Sequence, residues 1–335
     1  MKRQVIIIGG GASGLVAAIA AAREGAGVTV LEHMDRVGKK ILSTGNGRCN
    51  LTNLSLRPEH YRCSQPQFPM KVLDRFSVWD TLAFFDEIGI VTKSRNGYIY
   101  PNSDQASSVL DSLRMEAERL GVRVVTECHI SRAACAGKGR FRIESDQGVF
   151  QGERLILAAG SKAAPVTGSD GSGYQLAQAF GHRVITPLPA LVQLRCQGKF
   201  LKQLAGIRCD ALVKLVSEGQ VLAADQGELQ LTDYGVSGIP TFQVSRFAAV
   251  ALHKKKAVSV ILDFLPSKSM EETKQFIRNR AKVLAYRKSE DFLTGVLNKK
   301  LSQVLLKLSQ IDGAELVGNL KNQQLERLGH LIKGF

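Results

Sequence analysis

The first 32 residues constrain this chain more than any other stretch. Val5-Ile6-Ile7-Ile8 is a run of β-branched apolar residues, the pattern of a strand buried on both faces. It leads into Gly9-Gly10-Gly11-Ala12-Ser13-Gly14, a G-x-G-x-x-G, and then into an Ala-rich helix from Leu15 to Ala22. Val28-Thr29-Val30-Leu31 is a second apolar strand. It ends on Glu32, about 20 residues beyond the glycines, where a ribose-binding carboxylate belongs.

Each part has a physical job. Gly9 permits the tight turn out of the strand, Gly11 lets the backbone approach a pyrophosphate, and Gly14 lets the helix pack close to the strand. The helix N-terminus, at Ala12 and Ser13, offers free N–H groups and the positive dipole end to phosphates. Glu32 accepts hydrogen bonds from a ribose diol and repels a 2′-phosphate. A lone glycine motif is weak, but strand, glycines, helix, strand and acid in order are the context that confirms it. The cofactor-binding candidates are therefore Gly9, Gly11, Ala12, Ser13, Gly14 and Glu32. These residues alone leave FAD and NAD both open.

At 335 residues the chain is long enough for two or three domains. No apolar run approaches the roughly 20 residues of a membrane span, and the N-terminal apolar run is broken by glycines, unlike a signal peptide. A cytoplasmic location is the default expectation. The six cysteines are scattered, with no C-x-x-C pair. Free thiols are expected and no metal site. The formal charge of +15 is large for a soluble metabolic enzyme. It fits either a basic surface or a polyanionic partner such as nucleic acid.

Residues 38–53 follow Glu32 as a structured loop rich in Gly, Asn, Ser and Thr. Its position directly after a dinucleotide-binding unit places it along the cofactor. Lys40, Gly47, Arg48, Cys49 and Asn50 are the cofactor-side candidates here. Arg48 can pair with a phosphate or with ring oxygens, and Asn50 can donate and accept at a ring edge. The alternative is an Asn/Gly turn with Cys49 as a small buried hydrophobe.

Further along, residues 70–90 read as one amphipathic helix and residues 105–120 as a second. Asn96-Gly97 signals a hairpin, and Val122–Val125 and Leu155–Leu157 read as strands. The latter strand ends on Ala158-Ala159-Gly160, where small residues allow close approach to a cofactor, so Ala159 and Gly160 join the candidates. From about Val184 the texture changes. Residues 190–264 show short alternating strands with Gly turns, suggesting a small barrel or sandwich. From Pro266 the pattern is helical and basic.

These motifs together resemble one family. The Gly9–Gly14 fingerprint, the Gly45-Asn46-Gly47-Arg48-Cys49-Asn50-Leu51-Thr52-Asn53 loop, Ala158–Gly160, Gly171–Tyr174 with Gly181-His182, and Thr232–Gly238 are similar to those of the BaiN/YhiN-like flavoproteins. These are FAD-dependent oxidoreductases of the glutathione-reductase-like superclass. The resemblance spans essentially the whole chain. It implies an α/β fold: a Rossmann-like FAD-binding domain (1–188) with an inserted small β-barrel domain (189–265) and an inserted helical domain (266–335). It places the Ile130 backbone against adenine and the Arg48–Asn50 segment near the flavin ring. Two departures stand out. Ala159 occupies a position commonly held by Thr, and the chain stops at Lys333-Gly334-Phe335, where the family's last strand and helix would begin.

The function implied is NAD(P)H-driven reduction, through FAD, of a C=C bond conjugated to a carbonyl. Both family substrate types, a uridine in ribosomal RNA and a steroid-like enone, share that bond. The charge favours RNA, because phosphate neutralisation supplies most non-specific affinity. Cys49 is the proton-donor candidate and a structural thiol the alternative; Tyr98 and Tyr234 are weaker donors. A flavin amine oxidase using O₂ and a truncated, non-catalytic RNA-binding protein are the competing readings. The oligomeric state is not encoded in any of these motifs.

Overall fold

The computed structural model describes residues 2–63, 65, 67–137 and 139–335. The chain divides into two compact units, Met1–Pro187 and Leu188–Phe335.

The first unit is built on a parallel sheet. β1 (Gln4–Ile8) and β2 (Gly27–Leu31) flank the helix α1 (Ala12–Arg23). The sheet has four strands in the order 154–157, β1, β2, 123–125. Ile7 is central, with Val30 on one side and Ile156 on the other, and is fully buried. Successive side chains of β1 face opposite ways, as strand geometry requires. Val5 and Ile7 pack with Ala18 of α1, whereas Ile6 and Ile8 pack against a second layer. That layer is an antiparallel sheet of Ile130–Cys135, Phe141–Ser145 and Gly148–Gly152. Burial on both faces is why β1 reads as an uninterrupted apolar run, and each fully buried Ile contributes about 1.5–3 kcal/mol.

The helix Ala106–Arg119 lies beside α1, with Leu15 and Ile19 meeting Val109 and Leu113. An ion-pair cluster ties the two. Arg23 in the last turn of α1 reaches Glu116 at 2.9 Å and Glu87 at 2.7 Å, and Arg119 reaches Glu116 at 2.7 Å. The region expected as one helix over 70–90 is two, Phe68–Leu73 and Val78–Glu87. The break is chemical: Ser77 accepts from the Asp80 N–H while Asp80 accepts from the Ser77 N–H, a capping box that starts a new helix. The Asn96-Gly97 hairpin joins Thr92–Arg95 to Tyr98–Pro101, and Thr52–Asn53 adds a third strand.

The second unit carries a five-stranded antiparallel sheet. Its long pair, Arg208–Ser217 with Gln220–Leu231, runs through residues 220–226, which showed no strand signal in sequence. A closed barrel or sandwich was the expectation for this region. The sheet is open, with Leu194–Arg195 and Ser259–Asp263 at its edges. Ala211, Val213 and Leu215 alternate onto one face, where helices, not a second β layer, cover them. Val244 and Ala248 of Ile239–His253, Ile277 of Met270–Val283, Leu305 of Lys299–Leu308 and Leu328 of Asn322–Lys333 belong to the same core. Residues 189–265 and 266–335 thus bury their apolar side chains together. Lys333 pins the last helix: its ammonium meets Asp263 at 2.6 Å with both side chains almost buried, and it also donates to the carbonyls of Leu265 and Lys268.

Among the described residues no helix is long and apolar enough to cross a membrane, and no cluster of three metal-ligating side chains occurs.

Candidate cofactor site

The glycines between β1 and α1 are required by contact, not only by turn geometry. Gly9 has φ +105°, and a Cβ there would lie 2.5 Å from the Ala158 carbonyl oxygen. A Cβ on Gly14 would lie 1.9 Å from the Gly9 carbonyl oxygen. These two positions close the joint between strand, helix and the 154–157 strand. Gly11 differs: a Cβ there meets nothing within 4 Å, so it faces open space. No side chain caps α1 and its first turn holds no acid. The first N–H groups of the helix therefore point outward without intrahelical partners, an anion site in waiting.

Glu32 closes the other side of the turn. It is buried, and its carboxylate accepts the Gly10 N–H at 2.7 Å and the Met34 N–H at 2.9 Å. Each carboxylate oxygen retains lone-pair capacity for a hydroxyl donor.

A cavity of about 440 Å³ opens over this turn, a size within the range of ligand pockets. Gly9, Gly11, Ala12, Ser13 and Glu32 form one wall, Ala159 and Gly160 another. Lys40, Cys49 and Asn50 approach from the loop. Gly14 lies beneath, in the helix joint. Gly47 and Arg48 stand on the exposed side of the loop and off the cavity wall. A second cavity of about 410 Å³ shares Gly9, His33 and Ala159 with the first and is lined by Ile130. The structure thus gathers most of the sequence candidates around two adjoining cavities. Tyr98 is on the three-stranded sheet of the first unit, and Tyr234 belongs to the second unit.

The loop itself is shaped by left-handed backbone. Gly45, Asn46, Gly47 and Cys49 have φ of 55°, 55°, 82° and 61°. The hairpin receives it: Leu51 N–H donates to the Ile99 carbonyl at 2.8 Å, and the Asn50 amide donates to the same carbonyl at 3.1 Å. Cys49 is turned inward and buried, and its N–H donates to the Thr44 carbonyl at 3.0 Å. Burial pushes the Cys49 thiol above its usual range, a shift only partly offset by the Thr44 hydroxyl. The thiol is therefore held protonated.

Two wall residues, His33 and Arg36, carried no sequence signal. His33 lines both cavities, with Nδ1 3.4 Å from Glu32. Arg36 faces the first cavity, adding a cation beside Lys40. Gly38 is left-handed at φ +73°, and a Cβ there would lie 2.2 Å from a Leu110 methyl. Gly173 leaves room for Ala159, 2.9 Å from where its Cβ would stand.

The residues present fit FAD. A glycine cradle with an open Gly11, a free helix N-terminus and a buried acid at the end of β2 are the groups a dinucleotide's phosphates and ribose require. Ile130, His33 and Ala159 would hold the second cavity's share.

Fold and site together define a dinucleotide-binding Rossmann protein whose residues fit FAD, and the comparisons make it an FAD-dependent oxidoreductase. The HI0933-like protein Rossmann domain model matches residues 3–323, and the chain belongs to that family. It is similar to the 3-dehydro-bile acid delta(4,6)-reductase of Clostridium scindens, at 46% identity over 324 residues, 96% of this chain and 79% of that protein. It is also similar to the ribosomal RNA dihydrouridine synthase of Haemophilus influenzae, at 29% identity over 98% of this chain and 79% of that protein. Among solved structures, the 3-ketosteroid-delta4-(5alpha)-dehydrogenase of Rhodococcus jostii aligns with a TM-score of 0.46 and 16% identity, over 78% of this chain and 66% of that one.

Proposed function

We propose that this enzyme reduces a C=C bond conjugated to a carbonyl in a small steroid-like enone, with NAD(P)H as the electron source. The observation that carries the reading is the 46% identity, over nearly the whole chain, to a reductase named for that chemistry. FAD, when bound, supplies the means to pass a hydride from a nicotinamide to an activated carbon. The chain's own residues do the rest. The first turn of α1 and Lys40 neutralise phosphates, Glu32 holds a ribose, and Ala159 and Gly160 admit the cofactor closely. Cys49 presents a protonated thiol at the cavity wall, and its Sγ proton is the one delivered to the carbon next to the carbonyl.

Uridine in ribosomal RNA is the second reading. It is favoured by the charge of +15 and by the relative in Haemophilus influenzae. An uncharged steroid does not call for such a charge.

The test is anaerobic. The purified protein, saturated with FAD, is mixed with NADH or NADPH while its visible flavin bands are followed. Either a 3-oxo-Δ4 steroid or a uridine-containing ribosomal RNA transcript is then supplied. Bleaching followed by recovery with the steroid supports the proposal, and recovery with RNA alone selects the second reading. If neither substrate restores the bands, and an added amine bleaches the flavin until air is admitted, an oxidase replaces both readings. Cys49→Ala should lower substrate turnover by about 10²–10⁴-fold while bleaching by the nicotinamide persists.

A further inference from the structure

One face of the small three-stranded sheet collects unusual chemistry. Lys93 and Arg95 are two apart on one strand and so share a face. Their direct cross-strand partners are Tyr100 and Tyr98, which lie on that same face. The opposite face holds Ile99, only 3% exposed, so this is the outward one. Asp104 gathers the cations: one carboxylate oxygen takes the Lys93 ammonium and the Arg95 guanidinium, each at 2.6 Å. Lys93 also donates to the Asn102 carbonyl at 2.9 Å.

The charges do not balance. Lys93 first, with help from Arg95 and Arg48, holds the Asp104 carboxyl below its usual range, so three cations surround one anion. Arg95 uses only one of its nitrogens on Asp104, and among the described residues Arg48 has no ion-pair partner. Tyr98, half exposed, lies beside Arg95 as a flat apolar surface. The face also adjoins the cofactor loop: the Tyr100 ring edge is 3.4 Å from the Cβ position of Gly45, and the Asn50 amide is tied to Ile99.

Spare guanidinium and ammonium donors beside the exposed Tyr98 ring suit a phosphate attached to a flat heterocycle. We infer that the Lys93–Arg95–Tyr98 face, with Arg48 at its edge, binds the pyrophosphate and one base of the nicotinamide dinucleotide that reduces the enzyme. The inference rests on the reductase reading above, since it requires a nicotinamide electron donor. It adds a place for that donor outside the β1–α1 turn, which serves FAD.

The test uses FAD-saturated protein, so that the β1–α1 site is filled, and calorimetric titration with ADP-ribose, the donor without its nicotinamide. Arg95→Gln and Lys93→Gln should each weaken ADP-ribose binding by about ten-fold, the loss expected for one charge-assisted contact. Arg208→Gln, a surface cation of the second unit, should bind as the parent protein does. Melting temperature and FAD content report whether each variant folds. If Lys93→Gln does not, Arg95→Gln at the more exposed position carries the comparison. The inference is overturned if ADP-ribose fails to bind, or if neither substitution weakens it. It is equally overturned if the variants weaken a carboxylated enone but not its methyl ester, which would make the face a substrate clamp. Failure of the reductase reading shows separately, as absence of bleaching by NADH and NADPH while ADP-ribose titration still reports on the face.

Discussion

Glu32 accepts the Gly10 N–H at 2.7 Å, so the residue that follows β2 fixes the turn that leaves β1. Its other oxygen takes the Met34 N–H at 2.9 Å. The acid is thus a structural tie for two segments as well as the proposed ribose ligand. Glu32→Gln keeps the shape but replaces one accepting oxygen with an amide NH₂. One N–H then loses its partner, at a cost of about 1–3 kcal/mol. Urea denaturation should show that loss, and flavin fluorescence titration a weaker hold on FAD.

The glycines of the turn should separate by role. Gly14→Ala places a methyl 1.9 Å from the Gly9 carbonyl oxygen, and no flexible side chain stands there to yield. Overpacking of that kind costs about 1–3 kcal/mol, and the variant should melt lower whether or not FAD is added. Gly11→Ala meets nothing within 4 Å and sits at φ −76°. It should melt as the parent protein does but lose FAD affinity, because the added methyl enters the space the phosphates need. Thermal melts with and without FAD read both outcomes.

Acid should release the clamp between α1 and the 106–119 helix. The Arg119 and Arg23 guanidiniums lower the Glu116 carboxyl from 4.5 to about 2. A carboxyl depressed in the folded state stabilises above its unfolded value and loses that contribution as pH falls through the folded one. The stability difference between the parent protein and Glu116→Gln should therefore be full above pH 4.5 and shrink towards zero near pH 2. Chemical denaturation across that interval measures it.

Alkali acts through a thiol. Burial raises Cys209 from 9.0 to about 11, with the nearby Asp210 adding to the shift. The folded chain keeps a proton that the unfolded chain gives up. That stability is complete below pH 9 and is lost as pH rises towards 11. Between those values the parent protein should lose up to about 1.4 kcal/mol per pH unit more than Cys209→Ala. Denaturation at pH 8, 9.5 and 10.5 would show the divergence.

Much of the first unit was legible because its signals are local. The run Val5–Ile8, the glycines and Glu32 lie within one βαβ unit, where period and spacing decide the structure. The Asn96-Gly97 hairpin likewise needed only its own residues. The break at Ser77 was obscured by apolar residues whose helical spacing runs through it, although Ser77 and Asp80 spell the cap. The strand through 220–226 is mostly exposed, with no apolar/polar alternation, and becomes a strand by pairing with 208–217. The open sheet of the second unit followed from helices occupying the face a second sheet would have taken, a competition no single segment encodes. At the site, His33 and Arg36 reach the cavity because β2 delivers them there. The Lys93–Arg95–Tyr98 face exists only once register aligns two strands.

The cofactor loop has a consequence for the order of folding. Asn46 and Cys49 hold left-handed backbone without glycine's freedom, at about 1–2 kcal/mol per residue. What offsets that cost comes from outside the loop, from the Ile99 carbonyl and from the core that takes the Cys49 side chain. Until the 92–101 hairpin has closed and docked, the loop has no reason to take this shape. It is a late arrival: substitutions in it should speed unfolding and leave the refolding rate unchanged. A nascent chain would thus complete the frame of the Rossmann unit before the segment carrying Cys49 settles over it.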